Sequence, residues 1–177
     1  MSSKDLAQIV SLAKKGQEEA MAELIHEIEK PLFRYLFHLC GNEALAQDLC
    51  QESLVKILTK IDQIKDDSGV MSWVYQVGRN QFIDETRKNK TRNSLSNNLP
   101  EESEAGESVP EEVLTIRAVL EQLDVSEKEV LILVDMEGYS YLEVAKILNI
   151  SEAAVRSRLH RARSAFLTDY DEYKKAS

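Results

Sequence analysis

The chain has 177 residues, a formal net charge of −9 at pH 7 and 43% hydrophobic residues, enough for one or two small domains with their own cores. With only six glycines and three prolines and no segment of period-two alternation, the sequence predicts an all-α protein. No apolar run approaches the roughly 18 residues of a membrane span, and the first residues lack the apolar core of a signal peptide. We therefore expect a cytoplasmic protein without membrane insertion.

The first half of the chain predicts several helices. A short helix is followed by a long amphipathic one over residues 18–40. Pro31 should kink or divide this second helix, because proline cannot donate to the carbonyl four residues earlier. Gly41 and Asn42 are suited to end it and to cap a third helix over residues 43–61.

The third helix has two distinct faces. Its core stripe is predicted to consist of Ala46, Cys50, Leu54, Ile57 and Ile61. A second face combines apolar and acidic side chains, Leu45, Asp48, Leu49 and Glu52. Exposed leucines beside carboxylates favour a docking surface for a basic, partly apolar partner. The alternative is a solvated acidic face with incidental leucines.

A loop over residues 62–71 precedes a helix that is predicted to begin at Ser72. The only tryptophan, Trp73, lies at its start, and one of its faces carries Gln76, Asn80 and Arg87. An aromatic ring near amide and arginine side chains suits the stacking and edge reading of unpaired bases. Periodicity alone favours the other interpretation, in which Trp73 is a core residue.

An acidic segment divides the chain. Residues 93–115 contain six acidic residues, no basic one and two of the three prolines. This composition predicts a flexible linker between an N-terminal helical domain (1–92) and a C-terminal one (116–177). Residues 79–92 and 152–165 are locally basic. A chain that is acidic overall but has two basic edges should bind DNA weakly by itself.

Residues 140–165 predict a helix-turn-helix. Ser140 and Glu143 have the spacing of a capping box, which starts the first helix. Asn149 stands where a tight turn needs a left-handed residue. Ser151 is suited to cap the second helix.

The second helix of this motif is rich in arginine. Its predicted buried stripe is Val155, Leu159, Ala162 and Phe166. The opposite side carries Ser157, His160, Arg161 and Ser164, with Arg156, Arg158 and Arg163 on the flanks. Such a helix can dock on one side and face phosphates and base edges on the other. The alternative is an ordinary amphipathic surface helix with arginine-rich edges.

The sequence offers little support for a catalytic site or a metal site. His26, His38 and His160 have no nucleophile at a catalytic spacing, and the chain has no glycine-rich phosphate loop. His38 and Cys40 with Cys50 suggest zinc, but side chains two residues apart on a helix point about 200° apart. We expect both cysteines in the core, and no catalytic activity, metal or cofactor.

Two blocks together resemble the extracytoplasmic-function (ECF) sigma factors, two-domain bacterial transcription initiation subunits. Residues 48–52 (DLCQE) and 73–87 (WVYQVGRNQFIDETR) are similar to the region 2 signatures D-L-x-Q-E and W-L-x-x-I-A-x-N-x-x-x-D-x-x-R. Residues 123–163 are similar to region 4 almost throughout. The resemblance covers about 5–92 and 112–168. Small departures from the usual pattern stand at Met21, Gly78 and Asn149.

The resemblance implies roles for particular residues. The surface that binds the clamp of the large polymerase subunit would comprise Leu45, Asp48, Leu49, Gln51 and Glu52. The loop up to Met71 would capture a flipped base of the −10 element. Residues of the −10 recognition and melting segment would be Trp73, Gln76, Asn80, Arg87 and Lys88. Residues that enter the −35 major groove would be Arg156, Ser157, Arg158, His160, Arg161 and Arg163.

The resemblance also implies the function and the partners. We expect a sigma factor that binds the clamp and flap of core RNA polymerase, recognises −35 and −10 promoter elements and helps to melt the duplex. The acidic linker would run through the RNA channel, and an anti-sigma factor would hold the protein inactive. One alternative is a stand-alone helix-turn-helix regulator, against which the N-terminal block argues. The other is an adaptor that binds only protein, against which the arginine face argues.

Overall fold

The computed structural model describes residues 3–64, 66–93 and 111–176, and within them every regular element is helical. The α-helices are α1 (Ser3–Lys14), α2 (Glu18–Cys40), α3 (Glu43–Thr59), α4 (Val70–Asn93), α5 (Glu111–Gln122), α6 (Val125–Leu131), α7 (Tyr141–Leu148) and α8 (Glu152–Ala176). The all-α prediction is confirmed for these residues. No helix among them is both long enough and apolar enough to cross a membrane.

The chain forms two compact units, one within residues 1–100 and one within residues 101–177. In the first, α2 packs against α1, α3 and α4, and in the second, α8 packs against α5, α6 and α7. The predicted end of the linker is wrong, because α5 begins at Glu111. Val113, Ile116 and Leu120 recur at helical spacing there, and Leu120 is buried. The rest of the linker prediction, residues 94–110, lies outside the described residues.

Pro31 does not divide α2, which runs unbroken from Glu18 to Cys40. The fully buried Ile28 and Leu32 hold the helix against its neighbours on both sides of the proline, and packing of this kind outweighs the loss of one backbone hydrogen bond. The predicted end of α2 is confirmed, since Gly41 has φ 70° and its N–H donates to the carbonyl oxygen of Phe37. The backbone N–H of Leu45 donates to the Asn42 side chain over 2.9 Å, which starts α3.

The predicted faces of α3 need a correction. Its buried residues are Ala46, Leu49, Cys50, Ser53 and Ile57. Leu49 is only 3% exposed, so its assignment to a solvent-facing docking surface is wrong. The reason is that α3 packs against both α2 and α4, which buries more of its circumference than one stripe. Leu54, expected in the core, is half-buried.

Between α3 and α4 the chain makes two short 3-10 turns, Ile61–Gln63 and Asp67–Gly69. The third helix therefore ends at Thr59 and the fourth begins at Val70, two residues earlier than predicted. Lys14 on α1 donates to the carbonyl oxygen of Ile64 over 2.6 Å and pairs with the carboxylate of Asp67. Through these contacts α1 holds both turns of the connection between α3 and α4.

Helices α2 and α4 approach each other closely. The rings of Tyr35 and Tyr75 meet edge to face with centroids 5.1 Å apart. Gly78 faces Leu32, and a Cβ at this glycine would lie 2.6 Å from the Leu32 Cδ1 atom. The absence of a side chain at this position thus sets the closeness of α4 to α2, and with it the position of the opposite face of α4.

The local signals of the C-terminal unit are confirmed. Ser140 and Glu143 form a reciprocal capping box at the start of α7, and Asn149 ends that helix with φ 54° and ψ 51°. The backbone N–H of Ala154 donates to the Ser151 hydroxyl over 3.1 Å, so Ser151 caps α8. A π-helical turn, Ile132–Met136, continues α6, and no sequence pattern predicted it.

Candidate nucleic-acid interface

Helix α8 docks on one side and is open on the other. The core side is formed by Val155, Leu159 and Ala162, each 1% exposed or less, with Phe166 half-buried at its edge. The opposite side presents exposed side chains, Arg156, Ser157, His160, Arg161 and Ser164. Since an α-helix fits the DNA major groove, this side has the arrangement of a recognition surface.

Arg161 is held in place by two neighbours. Its Nε–H donates to Glu127 Oε1 over 2.8 Å, and its Nη1 donates to the hydroxyl of Ser157 over 3.0 Å. The Arg161 side chain is nevertheless 56% exposed. Its remaining N–H donors are therefore accessible in a fixed orientation.

Arg163 is bound more fully by the protein. Its Nε and Nη2 donate to the two carboxylate oxygens of Asp135 over 2.9 and 2.5 Å. This paired hydrogen bonding raises the pKa of the arginine further above its ordinary value. The structure therefore gives Arg163, predicted as a DNA-contacting residue, an intramolecular role between α8 and the π-helical turn.

A second carboxylate lies near the same helix. Asp124 caps α6 by accepting from the hydroxyl and the backbone N–H of Ser126. These hydrogen bonds lower the pKa of the Asp124 carboxyl, and the charges of Arg158 and Arg161 lower it further. Arg158 is half-buried. Arg158 and Arg161 thus lie near an acidic group at the start of α6, while Arg156 and His160 are exposed.

The predicted −10 residues lie along α4. Asn80, Arg87 and Lys88 are exposed, whereas Trp73 and Gln76 are half-buried. Trp73 is therefore neither a fully enclosed core residue nor a free stacking platform. It is the fourth residue of α4 and follows the connection that Lys14 contacts.

A polar contact that the sequence did not predict joins α3 to α4. Gln81 is only 5% exposed, and its Nε2 donates to Glu52 Oε2 over 2.7 Å. Lys56 donates to the other end of the same amide. Nothing in the local pattern could reveal a pairing between residues that far apart in the chain.

The exposed face of α3 differs from the predicted one. Asp48, Gln51 and Glu52 are exposed, Leu45 is half-buried and Leu49 is core. The apolar member of this face is Val55, which is 61% exposed. Its spacing from Asp48 and Glu52, seven and three residues, is helical and could have identified it.

A groove between α3 and α4 brings two predicted sites together. It is lined by Gln51, Glu52, Val55, Lys56, Gln81, Asp84, Arg87 and Lys88. Two of the predicted polymerase-binding residues and two of the predicted −10 residues therefore share one surface. Lys88 also lies 3.5 Å from the carboxylate of Glu85 on the same helix.

Of the two cysteines expected in the core, Cys50 is buried and Cys40 is not fully so. Cys50 is buried, and burial, followed by the nearby charge of Glu29, raises the pKa of its thiol to about 11. Cys40 is half-buried. In the parts of the chain that the structure describes, no three His, Cys, Asp or Glu side chains are grouped so that they could hold a metal ion.

Comparisons with known proteins match both units. Residues 24–92 match Sigma-70 region 2, and residues 114–166 match Sigma-70 region 4. The ECF RNA polymerase sigma factor EcfG of Rhodopseudomonas palustris (strain TIE-1) is 33% identical over 73% of this chain and 74% of its own length. The ECF RNA polymerase sigma factor SigM of Bacillus subtilis (strain 168) is 33% identical over 79% of this chain and 88% of its own length.

A solved structure shares the fold. The sigma factor RpoE from Bartonella quintana, in complex with the anti-sigma factor NepR, superposes with a TM-score of 0.78 at 24% identity, over 85% of this chain and 96% of that one. The two sigma regions occur here in the order and on the helices described above. The chain belongs to the extracytoplasmic-function family of RNA polymerase sigma factors.

Proposed function

We propose that this sigma factor binds core RNA polymerase through the exposed face of α3 and reads promoter DNA through α4 and α8. The polymerase then initiates at one class of promoters. The observation that carries the proposal is the open side of α8, where Arg156, Ser157, His160 and Arg161 are exposed on a helix fixed by its opposite stripe.

Helix α8 would read the −35 element in the major groove. Arginine forks and hydroxyls are the groups that recognise base edges and phosphates there. Arg156 and His160 are exposed on α8, and Arg161 has part of its donors already engaged. Base reading would thus fall to the residues of this side, whereas Arg163 stabilises the unit.

Helix α4 and the connection before it would bind the −10 element. The exposed Asn80 offers an amide to base edges, and Arg87 and Lys88 offer positive charge to the backbone. The connection that Lys14 fixes would receive a flipped base beside Trp73. Binding unpaired bases favours the open state, so these groups would help to melt the duplex.

Two surfaces would contact polymerase. Asp48, Gln51, Glu52 and Val55 form an acidic face with an apolar member, which suits a basic, partly apolar partner such as the clamp. An apolar groove in the C-terminal unit would take the flap. It is lined mainly by Ile116, Leu120, Leu131, Met136, Phe166 and Leu167.

The chain would supply recognition and leave the chemistry to polymerase, and it would act in the cytoplasm where polymerase and promoters are. An anti-sigma factor would control it by covering the DNA-reading and polymerase-binding surfaces. The Bartonella relative was solved with such a partner. Size-exclusion chromatography of native lysate should then show a complex without polymerase in uninduced cells, and finding the chain only free or with polymerase would contradict this control.

Run-off transcription tests the function. Genomic fragments of the source bacterium are transcribed by its core polymerase with and without the chain. We expect discrete transcripts from a small set of fragments only when the chain is present. The same transcripts with core alone, or none with the chain, would contradict the proposal.

A further inference from the structure

We infer that Glu127 is a positioning residue for base reading, because its carboxylate holds the Arg161 guanidinium in the orientation that contacts a base pair of the −35 element. The inference rests on the proposed function of α8. It adds to the DNA-reading surface a residue from α6, which lies outside the two helices of the helix-turn-helix.

The geometry restricts Arg161 from two sides. Glu127 Oε1 accepts from Nε over 2.8 Å, and the Ser157 hydroxyl accepts from Nη1 over 3.0 Å. A guanidinium is planar, so two contacts at different nitrogens fix both its position and the direction of its plane. The N–H groups that remain form an edge that could donate hydrogen bonds to a guanine.

Glu127 is itself well placed to act as a fixed support. Its side chain is 19% exposed, against 56% for Arg161. Its backbone N–H donates to the carbonyl oxygen of Asp124 at the start of α6, and the next residues, Lys128 and Glu129, are buried. The carboxylate is thus anchored on a capped helix, and only the arginine end of the pair is free to meet DNA.

Holding the arginine affects specificity more than affinity. A free arginine side chain must lose rotamer freedom when it binds, and it can satisfy a phosphate as easily as a base edge. A pre-oriented one is limited to acceptors in one direction. The carboxylate also repels phosphates, so its removal should leave general DNA binding unchanged or stronger while it weakens base discrimination.

The test compares holoenzymes that contain the wild-type chain, Glu127→Ala, Glu127→Gln or the control Glu121→Ala. Glu121 is exposed on α5, so its replacement changes the net charge equally at a position outside α6 and α8. The probes are a promoter fragment from which wild-type holoenzyme initiates, versions with a single changed base pair at each −35 position, and a fragment with a scrambled −35 element. Urea unfolding of each full chain reports its folding.

We expect Glu127→Ala to reduce the preference at one or two adjacent −35 positions by about tenfold, at the same positions that Arg161→Ala affects. Binding to the scrambled fragment should be equal or tighter, Glu127→Gln should fall between wild type and Glu127→Ala, and Glu121→Ala should behave as wild type. In the Arg161→Ala background, Glu127→Ala should cause no further loss at those positions.

Three results would overturn the inference. They are an unchanged preference in Glu127→Ala, an equal loss of binding at every position, and an additional loss in the double variant. A wild-type holoenzyme without preference at any −35 position would contradict the proposed function itself, and this outcome is distinguishable because it needs no variant.

Discussion

The arginines of α8 fall into two groups according to what holds them. Arg163 has both carboxylate oxygens of Asp135 as acceptors, whereas Arg161 shares its donors with Glu127 and Ser157 and keeps an accessible edge. Arg156 is exposed on the open side. These arginines lie close together in the sequence but differ in their contacts. Substitutions can therefore separate their effects on folding and on DNA reading.

Arg163→Ala should lower the free energy of unfolding of the C-terminal unit and leave −35 base preference unchanged. The pair with Asp135 is partly exposed, so we expect a loss of about 0.5–1 kcal/mol, measured by urea unfolding of the full chain. Asp135→Asn should cost a similar amount, and the double variant little more. A loss of base preference at a −35 position would return Arg163 to the DNA-reading surface.

Ser140→Ala should show a pH-dependent loss of stability. The Ser140 hydroxyl and backbone N–H hold the pKa of the Glu143 carboxyl below its ordinary value of 4.5. A carboxyl whose pKa is lower in the folded state stabilises above the unfolded pKa, and this contribution is lost as pH falls through the folded pKa. The variant should therefore lose about 1 kcal/mol near neutral pH and less in acid. Equal losses of stability in urea titrations at neutral pH and in acid would contradict this pH dependence.

Helix α3 shows how packing changes the role of a residue. Its pattern places Leu49 beside Asp48 and Glu52, yet the leucine is core because α2 and α4 both contact α3. The exposed face instead combines Asp48, Gln51 and Glu52 with Val55. Polymerase binding and folding should thus be separable on this one helix.

Asp48→Lys with Val55→Ser should weaken binding to core polymerase without lowering helical circular dichroism, because both residues are exposed. Leu49→Ala should instead cost about 2–5 kcal/mol of unfolding free energy, since it empties a buried site. Affinity measured with purified core and unfolding in urea separate the two effects. Glu23→Lys, at an exposed position on α2, is the matched control, and unchanged affinity in the double variant would refute the docking face.

Local signals were predictable and long-range contacts were not. The caps at Asn42, Ser140 and Ser151 and the left-handed Asn149 depend on neighbours within a few residues, and the structure confirms them. The sequence also predicted the open side of α8. The burial of Leu49, the Gln81 contacts between α3 and α4 and the continuity of α2 through Pro31 depend on which helices pack together, which periodicity in one segment does not encode.

The distribution of charge in the chain determines how well it can attract DNA. The net charge is −9, and three arginines of α8 lie beside carboxylates: Arg158 near Asp124, Arg161 at Glu127 and Arg163 at Asp135. Little positive potential is left to attract DNA at a distance. Each proposed DNA-reading surface is small, so we expect productive binding to need polymerase to hold both surfaces on one promoter.

The free chain should therefore bind a promoter duplex poorly, and its binding should weaken steeply with salt because phosphate contacts dominate it. Holoenzyme should bind the same fragment tightly. Fluorescence anisotropy over a salt series, with a scrambled fragment as control, measures both. Specific binding by the free chain with a Kd below about 10 nM at physiological salt would favour a stand-alone regulator instead.

We propose that one chain reads two promoter elements with two surfaces that act at different steps. Permanganate reactivity of unpaired thymines, measured beside closed-complex binding on one promoter fragment, tests it with holoenzymes that contain Arg161→Ala or Asn80→Ala. Arg161→Ala should weaken closed-complex binding by about 1–3 kcal/mol, and Asn80→Ala should reduce permanganate reactivity with a smaller effect on closed-complex binding. Equal effects of both substitutions on binding and on melting would show that the two surfaces do not act at different steps.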